Sequence, residues 1–283
     1  MASYNHPRDP SWYLRQTLLV LVILALLLIS GCDQIDLSHA FDSKPASPEL
    51  LVPKILATWP HDQSSFTEGL AWHDGHLLES SGLYGRSNIR EVNPKSGSVL
   101  ERKDDPSQVF GEGLAPDEDQ LYQLTWREHT GYIYDINSFA QIGTFSYTGE
   151  GWGLCFDGQH FLMSDGTATI TIRDPKTFTV VGSIQVLQDN NPITRLNELE
   201  CVGDSIYANV WMTNTILRIN EATGAVTGVI DASGLLTPQE LVKAGPDGVL
   251  NGIAYDEVDG AFFITGKLWP KLFEVEFVPR SQK

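Results

Sequence analysis

The sequence predicts an all-β protein with the fold of a five-bladed β-propeller, in which each blade is a four-stranded antiparallel sheet. A short phrase recurs five times, as FTEGL, FGEGL, GWGL, LNEL and LNGI, and each copy ends on an aliphatic residue. These aliphatic anchors, 44, 40, 45 and 54 positions apart, are Leu70, Leu114, Leu154, Leu199 and Ile253. An acidic turn and alternating apolar and polar residues follow each copy, which is typical of antiparallel hairpins. Four strands in each interval of this length is the spacing of propeller blades.

Two segments fall outside the repeat, and each has a predicted structure. The Thr-Pro-Gln-Glu stretch from Thr237 has a helix N-cap, a proline in the first turn and a glutamate at the third position. A helix here explains the longest interval. The last copy ends with a strand, Lys271 to Phe277, that leaves its blade one strand short. The strand-like segment at about residues 51–59 is predicted to complete that blade, so the propeller domain is expected over residues 50–283.

The N-terminus reads as a targeting segment. Two arginines precede an apolar run, Leu18 to Ile29, which ends in Ser-Gly and then Cys32. This pattern resembles a bacterial lipoprotein signal. It predicts a signal peptide over residues 1–31, a lipidated Cys32, a flexible tether over residues 32–49 and a lipid-anchored location on the periplasmic side of the cell envelope. A transmembrane anchor is the alternative, but this run is short for ~30 Å of hydrocarbon.

Charge and size limit the partners. The formal net charge of -17 repels nucleic acid and favours solubility, so nucleic-acid binding is excluded. A propeller over residues 50–283 buries its core without a second subunit, and a monomer is expected.

The two remaining cysteines have two possible states. In an exported domain Cys155 and Cys201 are permitted to form a disulfide. They follow their anchors by one and two positions, however, and this unequal register favours free thiols.

Aligning the five phrases places one residue from each blade at the same depth of the central channel. This ring consists of Glu68, Glu112, Trp152, Asn197 and Asn251. A purely structural ring would favour small or apolar residues, so two carboxylates, two carboxamides and an indole indicate a binding site. The alternative is that Glu-Gly-Leu is only a blade-start signature in which the glutamate fixes a turn.

A second set lies about twelve residues after the anchors and consists of Trp126, Trp211 and Lys267. Tryptophans at these positions are equally well explained as core residues. A lysine beside carboxylates, in a chain with few cations, is a candidate for charge stabilisation or orientation.

The motifs FTEGL, FGEGL, ESSGLYGRS, LNELE, ANVW, LNGIAYD and ITGKLWP, in order between Lys54 and Phe277, resemble the glutaminyl-peptide cyclotransferases of plants and bacteria. The resemblance implies a metal-independent five-bladed propeller without a cofactor. It also implies an acyltransferase that closes the N-terminal glutamine of a peptide or protein into pyroglutamate and releases ammonia.

The same resemblance implies roles for individual residues. Glu112 is expected to shuttle the proton from the attacking amine to the leaving group, and Lys267 or the Asn197 amide to stabilise the oxyanion. The residues expected to bind the substrate are Phe66, Glu68, Phe110, Trp126, Trp152 and Trp211. Many relatives carry glutamine where this chain has Glu68. A second carboxylate here either raises a pKa or binds the substrate ammonium.

Two other functional classes fit parts of the pattern. Glu68, Glu112, Asn197 and Asn251 offer oxygen ligands for Ca²⁺, as in propeller lactonases, and loss of activity in EDTA would indicate that class. Lys267 and the tryptophans favour an organic substrate over a hydrated cation. A non-catalytic envelope scaffold is the third class, and it would tolerate a Glu112→Gln substitution.

Overall fold

The computed structural model describes residues 47–281, and this part of the chain consists almost entirely of β-strands. The predicted signal peptide, Cys32 and nearly all of the tether lie outside the described residues. The predicted helix is confirmed as α1 (Pro238–Ala244), where Thr237 is the N-cap and forms a capping box with Glu240. No helix between residues 47 and 281 is long and apolar enough to cross a membrane.

The first strand, β1 (Glu49–Pro60), precedes three separate four-stranded antiparallel sheets. The first sheet contains β2 (Thr67–His73), β3 (His76–Ser81), β4 (Asn88–Val92) and β5 (Val99–Asp104). The second contains β6 (Gly111–Asp117), β7 (Gln120–Thr125), β8 (Thr130–Asp135) and β9 (Gln141–Ser146). The third contains β10 (Leu154–Phe156), β11 (Phe161–Met163), β12 (Thr169–Arg173) and β13 (Val180–Gln185). In each sheet the strands lie in chain order.

A two-stranded hairpin and an eight-stranded sheet follow. The hairpin consists of β14 (Leu187–Gln188) and β15 (Asn191–Pro192). The large sheet begins with β16 (Leu196–Val202), β17 (Ser205–Val210), β18 (Thr215–Asn220) and β19 (Val226–Asp231). It ends with β20 (Leu250–Asp256), β21 (Ala261–Gly266) and β22 (Lys271–Pro279). Its order is β16-β17-β18-β19-β1-β22-β21-β20, so it consists of two four-stranded runs joined at β1.

The predicted pairing of the N-terminal segment is confirmed. β1 pairs antiparallel with β22 from Leu51 opposite Pro279 to Pro60 opposite Lys271, and it completes the last four-stranded run. Its first residues also pair in parallel with β19, beginning with Glu49 opposite Gly228. The sequence pattern does not predict this second pairing. The two ends of the described chain are therefore held together by backbone hydrogen bonds.

The first strand of each four-stranded unit packs against the first strand of the next. β2 contacts β6, β6 contacts β10, β10 contacts β16, β16 contacts β20, and β20 returns to β2. These contacts are so close that a side chain would not fit at the glycine of several phrases. A Cβ atom at Gly113 would lie 2.6 Å from the carbonyl oxygen of Trp152, and one at Gly153 would lie 2.1 Å from that of Asn197. The recurring glycine therefore permits the close approach of neighbouring backbones.

Neighbouring sheets pack front to back, and the buried clusters lie between them. Ala71, one residue after its anchor, packs in the same cluster as Leu114, the anchor of the next sheet. Ala115 packs in the same cluster as Leu154 in the following pair of sheets. Successive residues of a strand point to opposite faces. The residue one position after an anchor therefore packs against the anchor itself in the neighbouring sheet, and not against the equivalent residue.

This packing corrects the interpretation of the cysteines as free thiols. Cys155 of β10 and Cys201 of β16 form a disulfide, with their Cα atoms 5.6 Å apart. The first strands of neighbouring units meet through opposite faces. Cys155, one position after its anchor, and Cys201, two positions after its own, therefore point toward each other. Equal register is required for partners in one sheet, but these strands belong to different sheets.

Candidate active site

A local irregularity of the strands orients the polar ring residues. The strand register shifts between Thr67 and Gly69, between Gly111 and Leu114, between Leu196 and Leu199, and between Leu250 and Ile253. A β-bulge of this kind leaves a residue out of the ladder and redirects its side chain. Glu68, Glu112, Asn197 and Asn251 lie in these four irregularities. The recurring phrase is thus both a structural signature at the start of each unit and the source of the polar side chains.

The predicted substrate and catalytic residues come together around one cavity. Its volume is about 210 Å³, and it lies at the end of the innermost strands where the phrases begin. Nine predicted residues line it: Phe66, Glu68, Phe110, Glu112, Trp126, Trp152, Asn197, Trp211 and Lys267. They come from every four-stranded unit. The cavity is therefore complete only when the first strands of all these units contact one another in a closed cycle.

Two carboxylates and one ammonium occupy the floor of this cavity. The side chain of Lys267 donates to both carboxylate oxygens of Glu68 at 2.6 Å, and its Nζ lies 4.6 Å from the ring centroid of Phe66. Glu68 and Glu112 are only 2% and 6% exposed. Lys267 is the one lysine or arginine lining this cavity within the described residues. Glu68 and Lys267 therefore form a buried ion pair beside the second carboxyl group.

Burial raises the pKa of Glu112 well above its ordinary value, and the negative charge of Glu68 raises it further, while Lys267 opposes the rise. Burial also raises the pKa of Glu68, against the attraction of Lys267. The two buried carboxyl groups act on each other's ionisation. Two coupled carboxyls of this kind share one proton over a range of pH, and here the ion pair favours the proton on Glu112.

The two ring asparagines differ in their surroundings. Asn197 is buried, lines the cavity, and its Oδ1 has no hydrogen-bond partner among the described residues. Such an unpaired buried acceptor is costly unless a ligand satisfies it. The Oδ1 of Asn251 is likewise buried and unpaired, but Asn251 does not line the cavity. Its Nδ2 donates to the carbonyl oxygen of Thr67 at 3.0 Å and to Glu68 at 3.4 Å. Asn251 therefore supports Glu68.

Five aromatic side chains form the walls, and we call them the aromatic belt: Phe66, Phe110, Trp126, Trp152 and Trp211. Phe66 packs edge-on against Phe110 with ring centroids 6.3 Å apart, and Phe110 lies 5.5 Å from Trp126. Trp152 packs edge-on against Trp211 at 5.6 Å. Trp211 is 38% exposed and stands at the rim. The belt presents an apolar wall around the polar floor.

Sequence reasoning missed several residues at this site. Leu83, Met212, Asp247 and Val249 also line the cavity. Gly82 and Gly166 lie behind the aromatic belt: a Cβ at Gly82 would lie 2.4 Å from the ring of Phe110, and one at Gly166 would lie 2.7 Å from that of Trp152. Glu150 accepts hydrogen bonds from two belt tryptophans. Val249 and Glu150 stand four residues before their anchors, as Phe66 and Phe110 do, and this shared position is the signal that could have found them.

The oxygen ligands considered for a metal ion are engaged differently in the structure. Both oxygens of Glu68 bind Lys267, and Asn251 is not among the residues that line the cavity. Among residues 47–281, no group of three or more histidine, cysteine, aspartate or glutamate side chains is placed to hold a metal ion.

Comparison with known proteins identifies the family. The family model described as glutamine cyclotransferase matches residues 23–277. A glutaminyl-peptide cyclotransferase from Arabidopsis thaliana is 37% identical over 260 residues, which cover 90% of this chain and 77% of that protein. The chain belongs to the glutamine cyclotransferase family. A crystal structure titled Myxococcus xanthus glutaminyl cyclase is 38% identical and superposes with a TM-score of 0.76, covering 83% of this chain and 100% of that one. A relative at 37% identity and a solved structure with a TM-score of 0.76 therefore agree with the family model.

Proposed function

We propose that this protein converts the N-terminal glutamine of a peptide or protein into pyroglutamate, with Glu112 as the proton shuttle. Membership of the glutamine cyclotransferase family supports the reaction. The observation that supports the shuttle is a buried carboxyl group with a raised pKa, inside a cavity walled by aromatic rings. A carboxyl group whose pKa is raised toward the working pH both accepts and donates a proton readily.

The proposed chemistry takes place within one residue of the substrate. The neutral α-amine attacks the carbon of the γ-carboxamide, which forms a C–N bond and a tetrahedral intermediate. Glu112 takes a proton from the attacking nitrogen and returns it to the amide nitrogen. The original C–N bond then breaks, and ammonia leaves. Protons and electrons balance without any further reactant.

The other floor residues suit the charges that develop. Lys267 lines the cavity, and we infer that it stabilises the oxyanion of the intermediate while it remains paired with Glu68. The unpaired Oδ1 of Asn197 is a free acceptor for an N–H of the γ-carboxamide. Together they would hold the reacting carbonyl between a cation and an amide.

The aromatic belt would supply the entropic part of catalysis. An extended glutamine cannot cyclise, so the pocket must hold its side chain folded back toward its own amine. Apolar rings around a narrow cavity exclude water and restrict the glutamine to compact conformations. Rates gained in this manner reach several orders of magnitude in intramolecular reactions.

We also propose that the four-stranded units are the blades of a five-bladed propeller and that the protein is a monomer. The three separate sheets and the two runs of the large sheet each supply one innermost strand, and these strands contact one another in a closed cycle. Cross-linking or light scattering of the purified domain tests the monomer. A mass of two chains would overturn it.

The lipid anchor is a separate proposal that rests on the sequence before residue 33. We propose that residues 1–31 are removed, that Cys32 carries the lipid, and that the propeller faces the periplasm on the tether of residues 32–49. Expression with a labelled fatty acid should label the parent and leave the Cys32→Ala variant unlabelled. Equal labelling of both proteins would refute lipidation at Cys32.

The reaction is tested with the full chain and a Gln-initiated peptide, reading ammonia release and the corresponding loss of mass. An Asn-initiated peptide of the same length is the matched control, because its shorter side chain cannot close the same ring. Turnover of the first peptide alone supports the proposal. Loss of activity in EDTA with recovery on adding a divalent metal, or absence of turnover, would overturn the metal-independent cyclase.

A further inference from the structure

The aromatic belt is interrupted between its third and fourth members. Trp126 and Trp152 are not among the contacting ring pairs of the described residues, and Glu150 lies between them. Its Oε2 accepts a hydrogen bond from Nε1 of Trp126 at 2.8 Å and another from Nε1 of Trp152 at 3.0 Å. Trp126 follows β7 of the second sheet, and Trp152 precedes β10 of the third. One carboxylate oxygen thus joins two walls that come from different sheets.

Glu150 occupies a position that is aromatic in the first two units. Glu150, Phe66 and Phe110 each stand four residues before the anchor of their own phrase. In the first two units this position supplies a ring of the belt. In the third unit it supplies a carboxylate that binds the rings on either side.

We propose that Glu150 is a positioning residue of the reaction, holding Trp126 and Trp152 at the separation that keeps the substrate glutamine folded. This inference rests on the proposed cyclisation. In this role Glu150 fixes the shape of the pocket wall and does not contact the reacting atoms. A small displacement of either ring would widen the pocket and admit unproductive, extended conformations of the side chain.

The backbone around Glu150 is fixed against the end of β7. The hydroxyl of Tyr147 accepts from the backbone N–H of Thr125 at 2.8 Å and donates to the carbonyl oxygen of Thr125. The N–H of Gly151 donates to the carbonyl oxygen of Trp126 at 3.0 Å. A Cβ at Gly151 would lie 2.7 Å from the carbonyl oxygen of Thr125, so glycine permits this approach. The carboxylate therefore has a defined position relative to both tryptophans.

Arg127 completes the arrangement on the outer side. Its Nε donates to Oε1 of Glu150 at 2.9 Å, and its guanidinium lies 3.7 Å from the ring centroid of Trp126. Partial burial opposes ionisation of Glu150, but hydrogen bonds from Trp152, Trp126 and Arg127 prevail and lower its pKa. Glu150 is therefore ionised at neutral pH, and its bonds to the two indoles are charge-assisted and correspondingly strong.

The charge of Glu150 also reaches the shuttle. Three charged groups shift the pKa of Glu112: Glu68 on β2, Lys267 after β21 and Glu150 before β10. Asp247 also lines the cavity. After burial, the carboxylates of Glu68 and Glu150 raise the pKa of Glu112, and Lys267 lowers it. Removing the charge of Glu150 should therefore move the ionisation of Glu112 to lower pH. The pH profile therefore reports the charge of Glu150, and the rate and the indole signals report the position of the rings.

Two variants separate shape from charge. Glu150→Gln keeps a carbonyl oxygen that accepts from the indoles but removes the charge, and Glu150→Leu removes both. Glu276→Gln is the matched control, because Glu276 is a partly exposed carboxylate paired with Lys54 on a strand that carries no belt residue. Each is measured as the full chain for kcat and KM on the Gln-initiated peptide, over a range of pH.

Glu150→Leu should lower kcat/KM by about 10- to 100-fold, since two charge-assisted hydrogen bonds are lost and the rings shift. Glu150→Gln should retain most of the activity, with the limb of the pH profile that reports Glu112 moved to lower pH. Glu276→Gln should behave as the parent. Parent-like kinetics and an unchanged pH profile in both Glu150 variants would overturn the proposal.

A readout that needs no turnover keeps this test independent of the proposed reaction. With 15N-labelled tryptophan, the indole N–H signals of Trp126 and Trp152 are assigned from single Trp→Phe variants. Both signals should shift strongly in Glu150→Leu and weakly in Glu150→Gln. If the parent fails to cyclise the peptide but these shifts occur, the reaction is wrong and the positioning of the rings stands. Unmoved indole signals in Glu150→Leu would refute the positioning whatever the activity.

Discussion

The innermost strands carry a cavity at each end, and the two cavities differ in chemistry. The one at the start of the strands has a volume of about 210 Å³ and contains Lys267, the aromatic belt and the unpaired oxygen of Asn197. The one at the other end is larger, about 340 Å³, and its lining includes Glu200, Asp256 and the disulfide. None of the residues described as lining the larger cavity is a lysine or an arginine.

Neither the volume of a cavity nor a raised carboxyl pKa identifies which end is the reactive one. Burial raises the pKa of Glu200 well above its ordinary value, as it does for Glu112. Glu200, however, accepts a hydrogen bond from the backbone N–H of Tyr255 at 3.1 Å, whereas Glu112 faces a second carboxyl and an ammonium. The comparison indicates that a reactive site requires a convergent set of acid, cation and unpaired acceptor. A large cavity or a raised pKa alone is insufficient.

The sharpest test of this comparison removes one carboxylate from each end. Glu112→Gln should lower kcat/KM for a Gln-initiated peptide by about 10²–10⁴-fold, because an amide cannot shuttle a proton. Glu200→Gln should leave the rate close to that of the parent. Steady-state ammonia release, with thermal unfolding of both variants as a check on folding, measures the difference. Equal losses in the two variants would contradict the assignment of the reaction to the first cavity.

The Glu68–Lys267 ion pair lies at the first cavity, and its loss should destabilise the protein. Lys267→Met leaves Glu68 buried beside Glu112 without its cation, and breaking such a pair costs about 3–5 kcal/mol. With the cation gone, the folded-state pKa of Glu68 rises further above its unfolded value, so the folded protein binds the extra proton. The stability deficit should therefore be small at acidic pH and grow as pH rises.

Urea unfolding of Lys267→Met at acidic and at neutral pH measures this deficit. Adding Glu68→Gln should recover most of the lost stability, because the buried charge is removed with its partner. A deficit independent of pH, or one that the second substitution fails to reduce, would show that Lys267 acts through packing alone.

The disulfide belongs to the opposite end, and its removal should leave catalysis intact. Cys155 and Cys201 are 46 residues apart in the chain, and a cross-link of this kind contributes roughly 2–4 kcal/mol to the free energy of unfolding. The Cys155→Ala/Cys201→Ala variant should lose that stability and keep its kcat and KM. Urea unfolding with and without a reductant measures the effect, and the reductant should not change the variant. A fall in the kcat/KM of the parent protein on reduction would contradict this expectation, because it would show that the disulfide influences the catalytic cavity.

The sequence predicts the site well because one phrase combines two functions. Its glycine allows neighbouring innermost strands to approach, and the residue before that glycine lies in a β-bulge that turns it toward the cavity. Glu68 and Glu112, which precede that glycine, can therefore be assigned from spacing alone, and Asn197 holds the same place in its phrase before Glu198. The closing strand β1 is predictable for a similar reason, since an unpaired strand at each end of a repeat array must find a partner.

Features set by packing between sheets are harder to predict. The disulfide was misjudged because equal register was assumed for strands that meet through opposite faces. Glu150 was missed because its hydrogen bonds depend on how two sheets converge, although its place in the repeat matches that of Phe110. Asn251 shares the repeat position of Asn197 but binds Glu68 and Thr67 instead of lining the cavity. The position of a residue in the repeat predicts its place on the strand. The neighbouring sheets determine which residues its side chain contacts.

The smallest expected effect concerns Glu68. Glu68→Gln removes the negative charge that, after burial, contributes most to the raised pKa of Glu112, and it frees Lys267 to act on Glu112 alone. Both changes lower the pKa of Glu112. The shuttle must be ionised to receive the proton of the amine, so the rising limb of kcat/KM against pH should move to lower pH. A limb that stays in place, measured beside Glu200→Gln as control, would mean that Glu112 does not define it.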